Sequence, residues 1–160
     1  MLVIADTTPL NYLILIDAVD LLPRLYPQII LPRGAWIELQ QPGTPTAVSL
    51  WARELPSWVD VREAPHSADP TLAGFGAGER EAILLAELYA PGAEVLLLLD
   101  EQAAREEARH RHLPVTGTLG ILKAASQNGW IDLAEAFHRL RGTNFRASVA
   151  LLEKLLQSEP

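Results

Sequence analysis

Five successive apolar residues, Val95-Leu96-Leu97-Leu98-Leu99, run directly into the acidic pair Asp100-Glu101. A strand that is apolar at every position has no face to offer water, so it belongs in the middle of a parallel sheet covered on both sides. Its length suits a strand and falls far short of a membrane span. The same grammar recurs twice, with Leu2-Val3-Ile4-Ala5 leading into Asp6-Thr7-Thr8 and Leu113-Pro114-Val115 leading into Thr116-Gly117-Thr118. In an open parallel α/β sheet, ligands sit beyond the carboxyl ends of the strands. Acids and hydroxyls are therefore expected to collect at one edge. Crowded carboxylates resist ionising unless a cation compensates them, and a hard divalent ion takes oxygen ligands. The expectation is a metal site suited to phosphate chemistry.

Strand and helix alternate along the whole chain. The strands expected are Leu2–Ala5, Gln28–Leu31, Trp58–Arg62, Val95–Leu99 and Leu113–Val115. Thr8 reads as an N-cap with Pro9 at the first helical position, opening a helix to about Leu22. Pro32 begins a second helix containing Trp36, Ile37, Glu38 and Leu39, and Thr46 caps a third over Ala47–Glu54. Residues 63–77, with Pro65, Pro70, Gly74 and Gly76, read as an irregular loop. Further helices are expected over Gly78–Tyr89, Glu101–Arg111 and Thr118–Gln127. Asp132 with Glu135 forms a capping box for Leu133–Leu140, and a last helix covers Ala147–Leu156. Such alternation implies an α/β fold: a single domain over residues 1–160, with a parallel sheet of about five strands flanked by helices on both faces. The helices from about residue 132 are expected to pack on that domain or on a partner.

Composition narrows the chemistry. The 160 residues suit one domain, and 49% hydrophobic with 21% charged residues is globular. Cysteine is absent, which removes disulfides and thiolate zinc sites. The N-terminal apolar stretch is too short for a signal peptide and has no basic region before it, so a cytoplasmic location without membrane contact is expected. A net charge of −7 argues against unaided binding to a nucleic-acid backbone. It leaves room for a metal-dependent nuclease, in which acids gather at the ion and local arginines meet the substrate.

Four acids are candidates for such a site. Asp6 and Asp100 each follow a strand, where an acid also serves simply to cap the next helix. Glu79 lies in Gly76-Ala77-Gly78-Glu79, in the first turn of a helix whose dipole favours a carboxylate there in any case. Glu81, two positions on, faces elsewhere and reads as solvated. Glu38 is the lone acid of Ala35-Trp36-Ile37-Glu38-Leu39, and its simplest role is that helix's solvent face.

Taken in order, Asp6-Thr7-Thr8-Pro9-Leu10, Glu38, Gly78-Glu79-x-x-Ala82-Ile83, Leu99-Asp100 and Val115-Thr116-Gly117-Thr118-Leu119-Gly120 resemble the PIN-domain family. The likeness is to its toxin-related bacterial branch and spans about residues 2–125. It implies a parallel sheet with helices on both sides and an acidic pocket for Mg²⁺ or Mn²⁺, with ribonuclease activity on RNA. Carried over by motif, Asp6, Glu38, Glu79 and Asp100 would be the catalytic and metal-binding quartet. Thr7 or Thr8 and Thr116 or Thr118 would orient water or a carboxylate. Many members have aspartate where this chain has Glu79. The resemblance also implies an RNA substrate, a cognate antitoxin protein and a homodimer. The other reading it leaves is a catalytically weak module that binds RNA or protein.

Other residues are less informative. His110 and His112 are two apart, which does not place both imidazoles on one helical face. Glu101–Arg105 and Glu107–Arg111 have the favourable i, i+4 order of a solvated helix face. Arg80, Arg105 and Lys123 lie near the motifs and could meet substrate phosphates, or be plain surface charge. The four tryptophans read as core or interface anchors, and Leu151, Leu152, Leu155 and Leu156 give the last helix an apolar stripe.

Overall fold

A computed structural model describes residues 1–157. The elements in order are β1 (Leu2–Ala5), α1 (Thr7–Leu15), α2 (Leu21–Leu25), β2 (Ile29–Pro32), α3 (Arg33–Glu38), α4 (Thr46–Arg53) and β3 (Val59–Arg62). A 3₁₀ turn at Pro70–Leu72 precedes α5 (Ala77–Tyr89), β4 (Val95–Leu98), α6 (Gln102–His110), β5 (Val115–Thr116), α7 (Thr118–Gln127), α8 (Leu133–Arg141) and α9 (Val149–Gln157).

All strand pairs are parallel, in the order β3-β2-β1-β4-β5. Every strand therefore ends at the same edge. Ala5 lies opposite Leu98, and Leu98 opposite Thr116, so the residues that follow these strands are neighbours. Side chains alternate between the faces. Val3, Ala5, Ile29, Leu31 and Leu98 pack with α1, α2, α7 and α8, whereas Ile4, Ile30, Leu97 and Leu99 pack with α5 and α6. Each fully buried leucine or isoleucine stabilises the fold by roughly 1.5–3 kcal/mol. Both faces need cover, and both have it: an α/β domain with a five-stranded parallel sheet between two helical layers.

Element boundaries differ from expectation at several points. The first helix does not continue to Leu22. It stops at Leu15, where Asp17 takes a positive φ of 57° and the Ala18 amide bonds the Leu13 carbonyl. A fresh helix, α2, resumes the apolar pattern. The α1 helix also starts two residues early, with Asp6 in the N-cap position expected of Thr8 and Thr7 as its first residue. Pro45 occupies the N-cap position of α4, and Thr46 is its first residue. The α6 helix stops at His110 because His112 adopts a φ of 59°, and the Leu113 amide closes back on the Ala108 carbonyl. At α8 the capping residue behaves as expected: the Asp132 side chain accepts from the Glu135 amide at 3.1 Å.

Residues 63–76 are more constrained than a plain loop. Leu72 is fully buried, and Asp69 accepts from the Thr71 amide and hydroxyl. Arg111, read from sequence as a solvated helix residue, is instead a clasp with its side chain 15% exposed. It reaches Asp69 of this segment at 2.8 Å, Glu107 of its own helix at 2.8 Å and Glu87 of α5 at 2.5 Å.

The C-terminal helices pack on their own domain. Leu133, Phe137, Leu140 and Leu152 join the core on the α1 side, with Leu155 and Leu156 partly buried against it. The four tryptophans are partly buried against the same cluster. Trp36 donates from its indole to the Ala52 carbonyl at 2.9 Å, tying α3 to α4. No helix among the described residues is long and apolar enough to cross a membrane.

Candidate functional site

Asp6 is the centre of the sheet edge. Its amide is held by the Leu98 carbonyl at 3.1 Å, which extends the β1–β4 ladder by one residue and carries the side chain under the start of α1. The residue is 3% exposed. It does not cap α1 through its side chain, and its Oδ1 is buried with no hydrogen-bond partner. Burial pushes its pKa from 3.8 up to about 7, against a lowering contribution from the Thr7 amide. The charges of Glu79, Glu38 and Asp100 push it further in the same direction. The three other acids of the expected quartet thus all face Asp6 closely enough to be felt.

Glu38 does not lie on a solvent face. The Thr7 hydroxyl donates to its Oε2 at 2.8 Å, and the Gly78 amide donates to its Oε1 at 3.0 Å. One carboxylate thereby joins the ends of α3, α1 and α5. Gly78 is the piece that lets them close. A Cβ at this position would meet Asp6 Oδ1, Glu38 Oε2 and Thr7 Oγ1. The glycine is required by proximity, since the helix N-terminus has to pass directly over two carboxylates.

Glu79 occupies the first turn of α5 and is half-buried. Burial raises its pKa, helped by Glu101 and then Glu38. Glu101 belongs to the acidic pair that follows β4 and stands outside the expected quartet, and its spacing also offers it to Arg105. In the structure it caps α6, its Oε2 accepting from the Ala104 amide at 3.0 Å, and no ion pair with Arg105 forms among the described residues. Glu81 is not simply solvated either: its Oε1 accepts from the Gly34 amide at 3.2 Å, fastening α5 to the start of α3.

Asp100 is held from the other side. Thr118 donates its amide to Oδ1 at 2.7 Å and its hydroxyl to Oδ2 at 2.6 Å. Burial raises the Asp100 pKa, while the Thr118 bonds and then the Arg105 charge lower it. Arg105 donates to the Leu99 carbonyl at 3.0 Å. Gly117 repeats the logic of Gly78, because a Cβ there would press on Asp100 Oδ1, Arg105 Nη1 and the Leu99 carbonyl. Thr7 and Thr118 are therefore the hydroxyls that orient carboxylates. Thr8 makes no hydrogen bond to the acids among the described residues, and the Thr116 hydroxyl lies against Gly120 instead.

The donor set fits a hard divalent cation in kind: oxygen only, with one buried carboxylate oxygen left without a partner. The described residues include no ready cluster of three carboxylates or imidazoles spaced to hold an ion. The acids share an edge and an electrostatic field, with Glu38 and Asp100 each held back by its own hydrogen bonds.

Acids therefore follow the central strand, β1, and its neighbour β4 at one edge of a parallel α/β sheet. The family model for the PIN domain matches residues 2–159, and the chain belongs to that family, whose members are generally metal-dependent nucleases. No curated protein matches the chain.

Proposed function

We propose that this protein is a Mg²⁺- or Mn²⁺-dependent endoribonuclease that hydrolyses RNA phosphodiester bonds, with Asp6, Glu38, Glu79 and Asp100 as its metal-binding acids. The observation that carries the proposal is the orphaned Oδ1 of Asp6, buried within reach of the charges of three further carboxylates. A protein has little reason to bury a carboxylate oxygen unpaired and then surround it with like charge, unless a cation completes the arrangement.

Each side chain then has a task. Asp6 offers the free acceptor. Thr118 fixes both oxygens of Asp100, so this carboxylate points with little freedom. Thr7 and the Gly78 amide do the same for Glu38. Glu79 brings a fourth carboxylate from the first turn of α5, on a side chain one methylene longer than the aspartate common in the family. When bound, a divalent ion supplies a water of lowered pKa and neutralises charge on the phosphoryl oxygens.

The likeness to the toxin-related branch extends the proposal to a cytoplasmic toxin paired with an antitoxin protein, and to a homodimer. A small open reading frame beside this one, co-purification of its product and the mass of the free protein in solution test those points. That the described residues hold no ready three-acid cluster favours one other reading, a weakly catalytic module that binds RNA or a protein. Cleavage of a single-stranded RNA panel with Mn²⁺, and with chelator, decides between them. The nuclease reading expects Mn²⁺-dependent products that vanish in Asp6→Asn and Asp100→Asn proteins of unchanged circular dichroism. Equal cleavage by both variants would refute it.

A further inference from the structure

Two cavities flank the acidic edge, and their charges differ. The larger, about 690 Å³, lies between α3, α5 and residues 63–69. It sets Arg33 and Arg80 against Glu63, Asp69 and Glu81, and Arg33 is already paired with Glu63 at 2.6 Å. A phosphate strand would gain little there. The second, about 490 Å³, opens directly from Asp100 and lies between the α6–α7 edge and residues 145–155. Asp100 is its one carboxylate, and Arg105 and Arg146 are its two guanidinium groups. Neither arginine closes an ion pair among the described residues. In a chain of net charge −7, this is a local excess of positive charge beside the proposed cleavage site.

The outer wall of this cavity is built deliberately. Between α8 and α9 the chain crosses back over α1, where Tyr12 donates to Asn144 Oδ1 at 2.9 Å. The rings of Tyr12 and Phe145 meet edge to face at 4.9 Å. These contacts fix Phe145 at the cavity and set Arg146 on its rim, where the charges of both Arg146 and Asp100 are felt at Tyr12. The volume lies in the usual range of roughly 300–1,000 Å³ for small-molecule sites. Guanidinium groups suit phosphate oxygens, and an aromatic ring suits a base face.

We propose that this cavity holds the nucleotide next to the scissile phosphate of a single-stranded RNA, with Arg105 and Arg146 on its phosphate and Phe145 against its base. The proposal rests on the nuclease reading above and adds the path of the strand: over α6 and the 143–147 crossing, away from α3. The C-terminal segment is then part of the substrate site as well as a cover for the core.

The test is fluorescence anisotropy of a labelled single-stranded RNA pentamer, with Ca²⁺ in place of Mn²⁺, over a salt series. Arg146→Gln, an exposed position, and Arg105→Gln are each expected to weaken binding about tenfold. Each should also flatten the dependence of log affinity on log salt by about 0.7, the share of one phosphate contact on a single strand. Arg33→Gln, in the other cavity, should bind as wild type does. Unchanged affinity and salt slope for Arg146→Gln, or a loss with Arg33→Gln alone, would overturn the proposal, as would failure of the wild-type protein to bind the pentamer. Mn²⁺-dependent cleavage measured on the same proteins separates the two failures. Cleavage that persists with an indifferent Arg146 sinks only the cavity assignment, whereas no cleavage by wild type sinks the nuclease reading beneath it.

Discussion

Replacing Asp6 with asparagine should stabilise the metal-free protein at alkaline pH. In the folded state the Asp6 pKa is raised from 3.8 to about 7, so the fold holds its proton more tightly than the unfolded chain does. The contribution is therefore fully favourable below pH 3.8, declines as pH rises through the folded value, and is lost above it. The difference of about 3 units corresponds to about 4 kcal/mol of destabilisation at pH 8 in order of magnitude. Asparagine removes the charge at nearly constant volume. Its amide has no partner at the orphaned position, which costs about 1–3 kcal/mol. The net expectation is a gain of about 1–3 kcal/mol at pH 8 with chelator, or a rise in Tm of roughly 2–10 °C. At pH 5 the ionisation cost shrinks to under about 2 kcal/mol, so the variant should match or fall below wild type there. Differential scanning calorimetry at the two pH values measures both quantities. Added Mn²⁺ should raise the Tm of wild type and leave Asp6→Asn unmoved. A variant less stable than wild type at pH 8, or a difference independent of pH, would refute the reasoning.

Three other substitutions probe the supports of the edge. Thr118→Val removes from a fully buried residue the hydroxyl that donates to Asp100 Oδ2, so denaturant melts should show a loss of about 1–3 kcal/mol. The same change should raise the Asp100 pKa and move the acid limb of any pH–rate profile upward. Gly78→Ala presses a methyl onto Asp6, Glu38 and Thr7, and should abolish Mn²⁺-dependent cleavage at a cost of about 1–3 kcal/mol in stability. Arg111→Ala frees Asp69 from α5 and α6, and limited proteolysis should then cut within residues 63–76 much faster than in wild type.

The layered fold was legible because its signals are local. Val95–Leu99 and Leu2–Ala5 are apolar at every position, and only a sheet covered on both faces accommodates them. The acids that terminate those strands could be singled out for the same reason. What sequence did not reveal depends on segments distant in the chain. The end of α1 carries no glycine or proline. The break rests on Asp17 in a left-handed conformation, and the apolar pattern continues because α2 packs into the same cluster. Glu38 sits on an apolar helix with nothing nearby to bind it, since Thr7 and the Gly78 amide arrive from 31 and 40 residues away. Glu81 was misread likewise, its partner lying on α3, whereas Arg111 forms the expected pair with Glu107 and also reaches Glu87 and Asp69, distant in the chain. Helical periodicity reports which way a residue faces, and it is silent on what faces it in return.

The central claim is that the edge around Asp6 exists to hold a divalent cation. Anomalous scattering from a crystal soaked in Mn²⁺ tests it without reference to any substrate. The account predicts a manganese peak within ligand distance of the Asp6 carboxylate and at least one of Asp100, Glu38 and Glu79, absent in crystals of Asp6→Asn. Manganese bound only elsewhere, or an edge left empty at saturating concentration, would contradict it.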